Sequence, residues 1–483
     1  MTIRHLKYIE AIGVHGRYNF IREFHEGVNI LFGLNGTGKT TFLHIISNLL
    51  NGDLERFAFL KFESIKAQIS DGTTVVVSRE KRDDIEIIST RVNGEEVIKP
   101  LIVKEIIDND TSFDMRDFER LSINKLVKSL EEQGESSKKI DALPSAAYFP
   151  AFRTMIEAWA STSGRIAPYP FGSNKYTMFQ EARNTQFARQ LFGRFVPKIN
   201  YPSPIEIERG LIREISDSIN RTRLEEGQYL GEIVPNIFKA ISDESMQPQE
   251  ESEEILHEID LISSQIEQHP FRIESSLVDL SELLRSLQIS QEDSGDIVPR
   301  ILNIYRKAIK KVIESRKKAF EAIELYLDSV NSFLSNESLT SKKISISLDP
   351  TSSGTFRPYI QIEFEDDKPS LRGIRRALSS GERQIITLIY AATHMSKQDI
   401  VLIDEPEISL HVDWQQPLLK HMAEQLEGRQ IIACTHSPVI GVDYEDQIYE
   451  FEPQEFIGGP TEGDSFEQED YPDMNSSYDD IPF

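Results

Sequence analysis

Short apolar runs separated by polar turns dominate residues 1–100 of the chain. Apolar residues there recur at every second position or in brief continuous runs, which is typical of strands. Residues 38–50 instead have the apolar spacing of a helix packed on a sheet. The pattern predicts strands near residues 3–10, 18–24, 28–32, 73–79 and 84–88.

The middle of the chain has a helical period. Residues 205–340 place apolar side chains three and four positions apart, most regularly from Ile297 to Leu334, which predicts one long helix. Arg316 interrupts its apolar stripe. A weaker partner helix is predicted either at 252–268 or at 274–290. Strict alternation then returns and predicts two strands, Ile344–Leu348 and Tyr359–Phe364.

Composition shows an acidic chain with a single cysteine. Its 483 residues include 53 Lys and Arg against 79 Asp and Glu, a net charge of −26, so any nucleic-acid contact needs a local basic patch. Cys434 alone allows neither an internal disulfide nor a multi-cysteine zinc site. Because we find no apolar run long enough for a membrane span and no signal sequence, we expect a cytoplasmic protein.

A complete phosphate-binding loop lies between the third predicted strand and the helix that follows it. Gly33–Thr40 matches the pattern G-x-x-x-x-G-K-[ST], in which backbone N–H groups hold phosphates. Lys39 is expected to reach the β- and γ-phosphates of ATP, and the Thr40 hydroxyl to ligate Mg²⁺. The candidate ATP-binding residues of this loop are Asn35, Gly36, Thr37, Gly38, Lys39, Thr40 and Thr41.

Two apolar strands near residue 400 end in side chains that suit the rest of an ATP site. Ile400–Asp404 is followed by Glu405, so Asp404 is predicted to hold Mg²⁺ and Glu405 to polarise the attacking water. Gln430–Cys434 leads to His436, which is placed to hydrogen-bond the γ-phosphate.

The sequence Leu-Ser-Ser-Gly-Glu precedes a further predicted helix at Ile385–Met395. Its hydroxyls and the helix N-terminus can face a phosphate, which makes Ser379, Ser380, Gly381 and Glu382 candidate ligands. On capping grounds alone the same residues form an ordinary helix start. The sequence leaves these two interpretations open.

The four motifs, in this order, resemble those of ABC-type ATPases of the SMC and OLD group. The resemblance covers about residues 1–90 and 345–451. It implies an α/β head, a mixed sheet with a P-loop, that binds ATP and Mg²⁺ and hydrolyses ATP. It also implies that Ser379 and Gly381 contact the γ-phosphate bound by another protomer. Glu405 would be the catalytic base and His436 the switch histidine, in a homodimer or higher oligomer of heads.

On this basis we expect four parts in the chain. The ATPase head is predicted to comprise residues 1–200 and 344–452, with a large helical or coiled-coil lobe inserted at 201–343. Residues 453–483 are polar and acidic, and we expect a disordered tail.

Some positions depart from the family pattern. Ser380 stands where many relatives have glycine, and Glu382 where many have glutamine. His411 replaces the aspartate of transporter relatives, which is similar to the OLD group. The glutamine loop is not placed: in Tyr148–Arg153, Arg153 either points at the site or ends a core strand and turn.

The spacing of the motifs favours some relatives over others. The interval from Thr40 to Leu378 is far longer than in transporters and shorter than in long-armed SMC proteins. The segment after His436 is too short for a TOPRIM nuclease, so we expect no nuclease domain of its own. The pattern resembles ATPase subunits of anti-phage systems such as PARIS and Septu, in which a separate protein is the effector. The alternatives are a DNA-repair ATPase of the SMC or RecF-like kind and an ATP-bound scaffold with little turnover.

Two charged segments suggest partners. A basic cluster on the long predicted helix either contacts DNA or an acidic partner, or is a solvated helix face. The terminal sequence Ser476–Phe483 resembles the acidic tip of bacterial single-stranded-DNA-binding proteins, which implies docking on a DNA-repair or replication protein. An accidental acidic tail is the alternative. The basic cluster comprises Arg306, Lys307, Lys310, Lys311, Arg316, Lys317 and Lys318.

Overall fold

The computed structural model describes residues 3–110, 143–156, 174–242, 252–268, 297–335, 341–350, 356–364, 369–374, 378–393, 398–426 and 428–456. The helices are α1 (Lys39–Leu50), α2 (Val103–Asn109), α3 (Asn174–Phe192), α4 (Pro204–Ser242), α5 (Ser252–Gln268), α6 (Ile297–Leu334), α7 (Ser380–Ala392) and α8 (Val412–Ala423). The strands are β1 (Leu6–Val14), β2 (Tyr18–Glu23), β3 (Val28–Phe32), β4 (Ser64–Ile69), β5 (Thr74–Arg82), β6 (Ile85–Val92), β7 (Glu95–Ile102), β8 (Ala146–Phe149), β9 (Lys342–Pro350), β10 (Phe356–Phe364), β11 (Leu371–Arg372), β12 (Ile400–Asp404), β13 (Gln430–Thr435), β14 (Ile448–Glu450) and β15 (Gln454–Glu455).

A five-stranded parallel sheet, in the order β14–β3–β13–β12–β8, carries the candidate site. All residues of β8, β12 and β13 are buried, which explains their continuous apolar sequences. Thr435 lies opposite Phe32, and Asp404 lies opposite Cys434. Because the strands are parallel, the segments that follow β3, β12 and β13 meet at one edge of the sheet.

A seven-stranded antiparallel sheet, in the order β15–β2–β1–β4–β5–β6–β7, shares a hydrophobic core with the parallel sheet. Phe20 of β2 contacts Phe42 of α1 and Phe451, with ring centroids 5.5 and 5.4 Å apart. These rings pack one face of α1, so the first helix after the phosphate-binding loop is fixed between two sheets.

Three long helices pack against one another, and one end of both α4 and α6 also joins the core shared with the sheets. Residues of α4, α5 and α6 form a separate apolar cluster that includes Ile233, Ile259 and Tyr305. Arg316, the residue that interrupts the stripe of α6, is buried, and its Nη2 lies 3.5 Å from Glu226 of α4. The long predicted helix coincides with α6, and one of the two predicted partner positions, 252–268, coincides with α5. The other, 274–290, lies outside the described residues.

Several elements differ from the sequence predictions. Strand β1 begins later than the predicted 3–10 and continues to Val14. Strands β4 and β7 were not predicted; β4 alternates but is only six residues long, and β7 is an exposed edge strand without an apolar pattern. The predicted tail beyond residue 456, including its tip, lies outside the described residues. Among the described helices, none has the length and apolar content that crossing a membrane requires.

Candidate nucleotide-binding site

The loop between β3 and α1 has the backbone that a phosphate cradle requires. Gly36 and Gly38 have φ angles of 86° and 90°, in the left-handed region that favours glycine. A Cβ on Gly38 would lie 2.8 Å from Cζ of Phe20, so a larger residue would clash with the core. Asn35 and Gly36 are exposed at the tip of the loop. Free backbone N–H groups at a helix N-terminus are thus open to an anion.

Lys39 lies at the mouth of this loop and is largely buried. Its Nζ donates hydrogen bonds to the carbonyls of Gly33 at 2.7 Å and Leu34 at 3.0 Å, and lies 3.8 Å from Oε1 of Glu405. Thr37 Oγ1 also donates to the Leu34 carbonyl, at 2.9 Å. The Lys39 ammonium group therefore lies over the loop, on the side that faces the end of β12.

A hydrogen bond joins the end of the phosphate-binding loop to the last residue of strand β12. Oγ1 of Thr40 donates to Oδ2 of Asp404 at 2.8 Å. Asp404 is 1% exposed, and this burial raises its pKa to about 6, against the opposing effects of Thr40, Arg153 and Lys39. Oδ1 of Asp404 is buried without a hydrogen-bond partner among the described residues. A hydroxyl beside an unsatisfied carboxylate oxygen is a donor set that fits Mg²⁺.

Glu405 follows β12 in a strained backbone conformation that its neighbours stabilise. Its φ is 50°, in the left-handed region that non-glycine residues rarely adopt. The buried guanidinium of Arg153 donates to the carbonyls of Asp404 at 2.9 Å, Glu405 at 3.0 Å and Pro406 at 3.2 Å. Arg153 therefore binds the protein backbone here, at the end of strand β8 and its turn. Of the two interpretations of Tyr148–Arg153, the core strand followed by a turn agrees with the structure.

His436, on the segment after β13, contacts the acidic turn. Its Nδ1 hydrogen-bonds Oε2 of Glu405 and lies 3.3 Å from Oε1 of Glu407. Burial is the main cause of a raised pKa of Glu407, and the neighbouring Glu405 raises it further. The sequence analysis assigned no role to Glu407. The available signal was its position in the motif Asp-Glu-Pro-Glu, two residues after the proposed base.

The residues Ser379 to Glu382 form the start of α7. Ser379 is its N-cap, and the Ser379 and Glu382 side chains accept hydrogen bonds from each other's backbone N–H, which is a capping box. The buried Glu382 carboxylate also lies 2.7 Å from Nζ of Lys342. A Cβ on Gly381 would lie 2.7 Å from the Ser409 carbonyl, so this position requires glycine for close approach.

The cap does not engage the phosphate-binding loop of its own chain. Ser379 and Ser380 are exposed, and within the described residues no hydrogen bond or ion pair joins 378–393 to Gly33–Thr40. The structure thus brings together Lys39, Thr40, Asp404, Glu405 and His436, and leaves the Ser379 segment separate and open to solvent.

The basic cluster on α6 is partly neutralised by its own lobe. Arg306 and Lys310 lie 2.8 and 2.5 Å from the Glu258 carboxylate, and Lys311 lies over the ring of Tyr229. Arg316 is buried against its acidic partner on α4. The exposed Lys307, Lys317 and Lys318 remain on the helix surface. This arrangement favours a solvated helix face over a DNA-binding patch.

Comparison with known proteins finds a family model and a curated protein that are similar to parts of the chain. Residues 357–443 match the family model described as AAA domain, putative AbiEii toxin, Type IV TA system. The curated Retron Ec83 probable ATPase of Escherichia coli is 24% identical over 181 residues, which cover 34% of this chain and 33% of that protein. The match therefore spans about a third of the relative's length.

Two solved SMC heads also align over most of the chain, with low scores. The Smc head domain of Pyrococcus furiosus, with an extended coiled coil and bound to the C-terminal domain of ScpA, is 14% identical. The alignment covers 94% of this chain and 96% of the Smc chain, with a TM-score of 0.37. An SmcHead bound to the C-winged helix domain of ScpA is 13% identical, covers 93% and 97%, and has a TM-score of 0.35. The stretch that matches the AAA-domain family model includes the cap at Ser379, the strand that ends at Asp404, and His436.

Proposed function

We propose that this protein binds ATP with Mg²⁺ and hydrolyses it. The observation that carries the proposal is the hydrogen bond between Thr40 and Asp404, which joins two segments far apart in sequence. Lys39 and Glu405 lie beside this bond at 3.8 Å from each other. The match to an ATPase family supports the same chemistry.

Each residue of the site has a role that its position suits. The backbone N–H groups of Asn35 to Thr41 and the Lys39 ammonium would bind the phosphates, while Thr40 and Asp404 would hold Mg²⁺. When bound, Mg²⁺ offsets negative charge on the phosphates. Glu405 would accept the proton of the attacking water, and His436 would orient Glu405 and the terminal phosphate.

Turnover and nucleotide affinity test these roles. We expect Lys39→Ala to lose binding of a fluorescent ATP analogue, whereas Lys104→Ala, on the surface of α2, retains it. Glu405→Gln should retain binding and lose about 10²- to 10⁴-fold in kcat, as expected for a general base. Exposed Glu424→Gln is the matched control. Wild-type protein that binds ATP without releasing phosphate would instead support a scaffold with little turnover.

We further propose that two heads share each ATP, with the exposed Ser379 and Ser380 of one copy facing the nucleotide of the other. The buried Gly381 and Glu382, also expected from the sequence to be ligands, instead shape and cap the start of α7. The exposure of the cap and its separation from the loop of its own chain support this arrangement. Helix N-termini are suited to hold the terminal phosphate.

Complementation between two inactive variants tests the shared site. Lys39→Ala removes a copy's own nucleotide, and Ser379→Arg prevents a copy from serving its partner. Mixed in equal amounts, they should regain turnover because one of the two sites in a mixed dimer is complete. If the mixture stays inactive while both variants remain folded, the shared site is wrong.

We propose, finally, that the ATPase acts in an anti-phage defence complex and controls a separate effector, with a nuclease as the expected class. The retron ATPase and the AbiEii description of the matched family support a defence role. Co-purification from the native host followed by mass spectrometry tests it, and a bound nuclease or toxin is the expected result. Stimulation of turnover by DNA ends, without such a partner, would favour a DNA-repair ATPase.

A further inference from the structure

Glu407 lies beside Glu405 and His436, and the roles proposed above do not use it. Its side chain is 6% exposed, so its carboxylate lies below the surface at which Glu405 and His436 are located. It belongs to the turn after β12, whereas its hydrogen-bond partners belong to the last residue of β13 and the segment that follows. Glu407 is therefore a direct link between the two segments that carry Glu405 and His436.

One oxygen atom of Glu407 makes this link. Oε1 accepts hydrogen bonds from Oγ1 of Thr435 at 2.5 Å, from the backbone N–H of Ser437 at 3.0 Å and from the backbone N–H of His436 at 3.2 Å. The ring Nδ1 of His436 lies 3.3 Å from the same atom. Three consecutive residues are thus held on a single buried acceptor, which fixes both the backbone and the ring of His436.

The same ring nitrogen contacts Glu405, so the orientation of the histidine also constrains the proposed base. Glu405 needs such support because its backbone is in the left-handed region, a conformation that costs about 1–3 kcal/mol and persists only when its surroundings determine it. The hydrogen bond from Thr435 to Glu407 is buried, so water does not compete for it and the low dielectric strengthens it.

We propose that Glu407 is a positioning residue, which holds Thr435–Ser437 so that His436 fixes the Glu405 carboxylate for hydrolysis. The inference rests on the proposed ATPase function. It assigns Glu407 no contact with the nucleotide, because the phosphate-binding loop makes none of its hydrogen bonds with Glu407 among the described residues. A loss of Glu407 therefore changes kcat and leaves ATP affinity unchanged.

Four variants test the proposal kinetically. Glu407→Ala should lower kcat on the order of 10²-fold, which is the expected cost of a small misplacement of catalytic groups, with an unchanged Kd for ATP. Glu407→Gln retains an acceptor oxygen in the same position and should recover most of the rate. Because Glu407 acts through His436, the double variant with His436→Ala should be no slower than His436→Ala alone. Losses that multiply, or an ATP affinity that falls in parallel with kcat, would overturn the proposal.

Histidine side-chain NMR on the ¹⁵N-labelled protein gives a readout that does not depend on turnover. The ring resonances missing in His436→Ala identify His436. We expect them to shift in Glu407→Ala and to return in Glu407→Gln. An unshifted ring in Glu407→Ala contradicts the positioning role even if ATP is hydrolysed. A wild-type protein without turnover contradicts the ATPase proposal, while the spectra still decide the role of Glu407.

Discussion

Replacement of Arg153 by Met should destabilise the protein and slow its turnover together. The guanidinium is 2% exposed and donates to three consecutive carbonyls that carry Glu405. Hydrogen bonds from charged donors contribute about 1.5–3 kcal/mol each, but the three share one desolvated cation. We therefore expect a total loss of about 3–5 kcal/mol, because the replacement leaves several buried carbonyl groups without their donor.

Urea unfolding followed by tryptophan fluorescence measures this loss, since Trp414 is buried in α8. Surface Arg82→Met is the control, because its pair with Glu80 is exposed and should contribute about 1 kcal/mol or less. We also expect kcat to fall and ATP affinity to persist, as the strained turn relaxes away from the loop. A variant with the urea midpoint and the kcat of the wild type would refute this account of Arg153.

Three further predictions concern pH, packing and metal. Burial lowers the pKa of His44 to about 3, so protons favour the unfolded state below pH 6.5. The free energy of unfolding should fall by about 2 kcal/mol between pH 7.5 and pH 5, and it should fall less in His44→Gln. Urea unfolding at both pH values measures the two losses, and equal losses would contradict the role of His44. Gly381→Ala should cost about 1–3 kcal/mol of unfolding free energy, because the added Cβ overpacks the site. Gly227→Ala is the control and should not destabilise the protein, since a Cβ at that position meets no atom within 4 Å. Equal urea midpoints for the two variants would exclude the clash at Gly381. Thr40→Val should raise the Mg²⁺ concentration needed for half-maximal turnover, and an unchanged Mg²⁺ titration would remove Thr40 as a ligand.

Local patterns were sufficient to predict the elements that present the site. The strand, loop and helix around Lys39 are continuous in sequence, and the two strands that end before Gly33 and at Asp404 are almost wholly buried. The span of α6 was predictable because one face of it is apolar along its length apart from Arg316. The capping box at Ser379 was also readable from its spacing.

Features that depend on long-range pairing could not be predicted. The neighbours of β3 come from the far end of the chain, and nothing in its own sequence indicates them. Arg153 binds carbonyl groups, which carry no sequence signature, so its residue type alone suggested a ligand contact. Glu407 was missed for a related reason: two of its hydrogen bonds come from backbone N–H groups in the segment after β13.

The strand order also has a consequence for synthesis. β3 pairs with β13 on one side and β14 on the other, and both partners are translated after the whole helical lobe. On the ribosome, the segment bearing Lys39 therefore waits without either neighbour until residue 450 has emerged. A nascent or prematurely terminated chain that stops inside the lobe lacks a closed sheet, and so it is a substrate for chaperones and proteases and not a partly active enzyme.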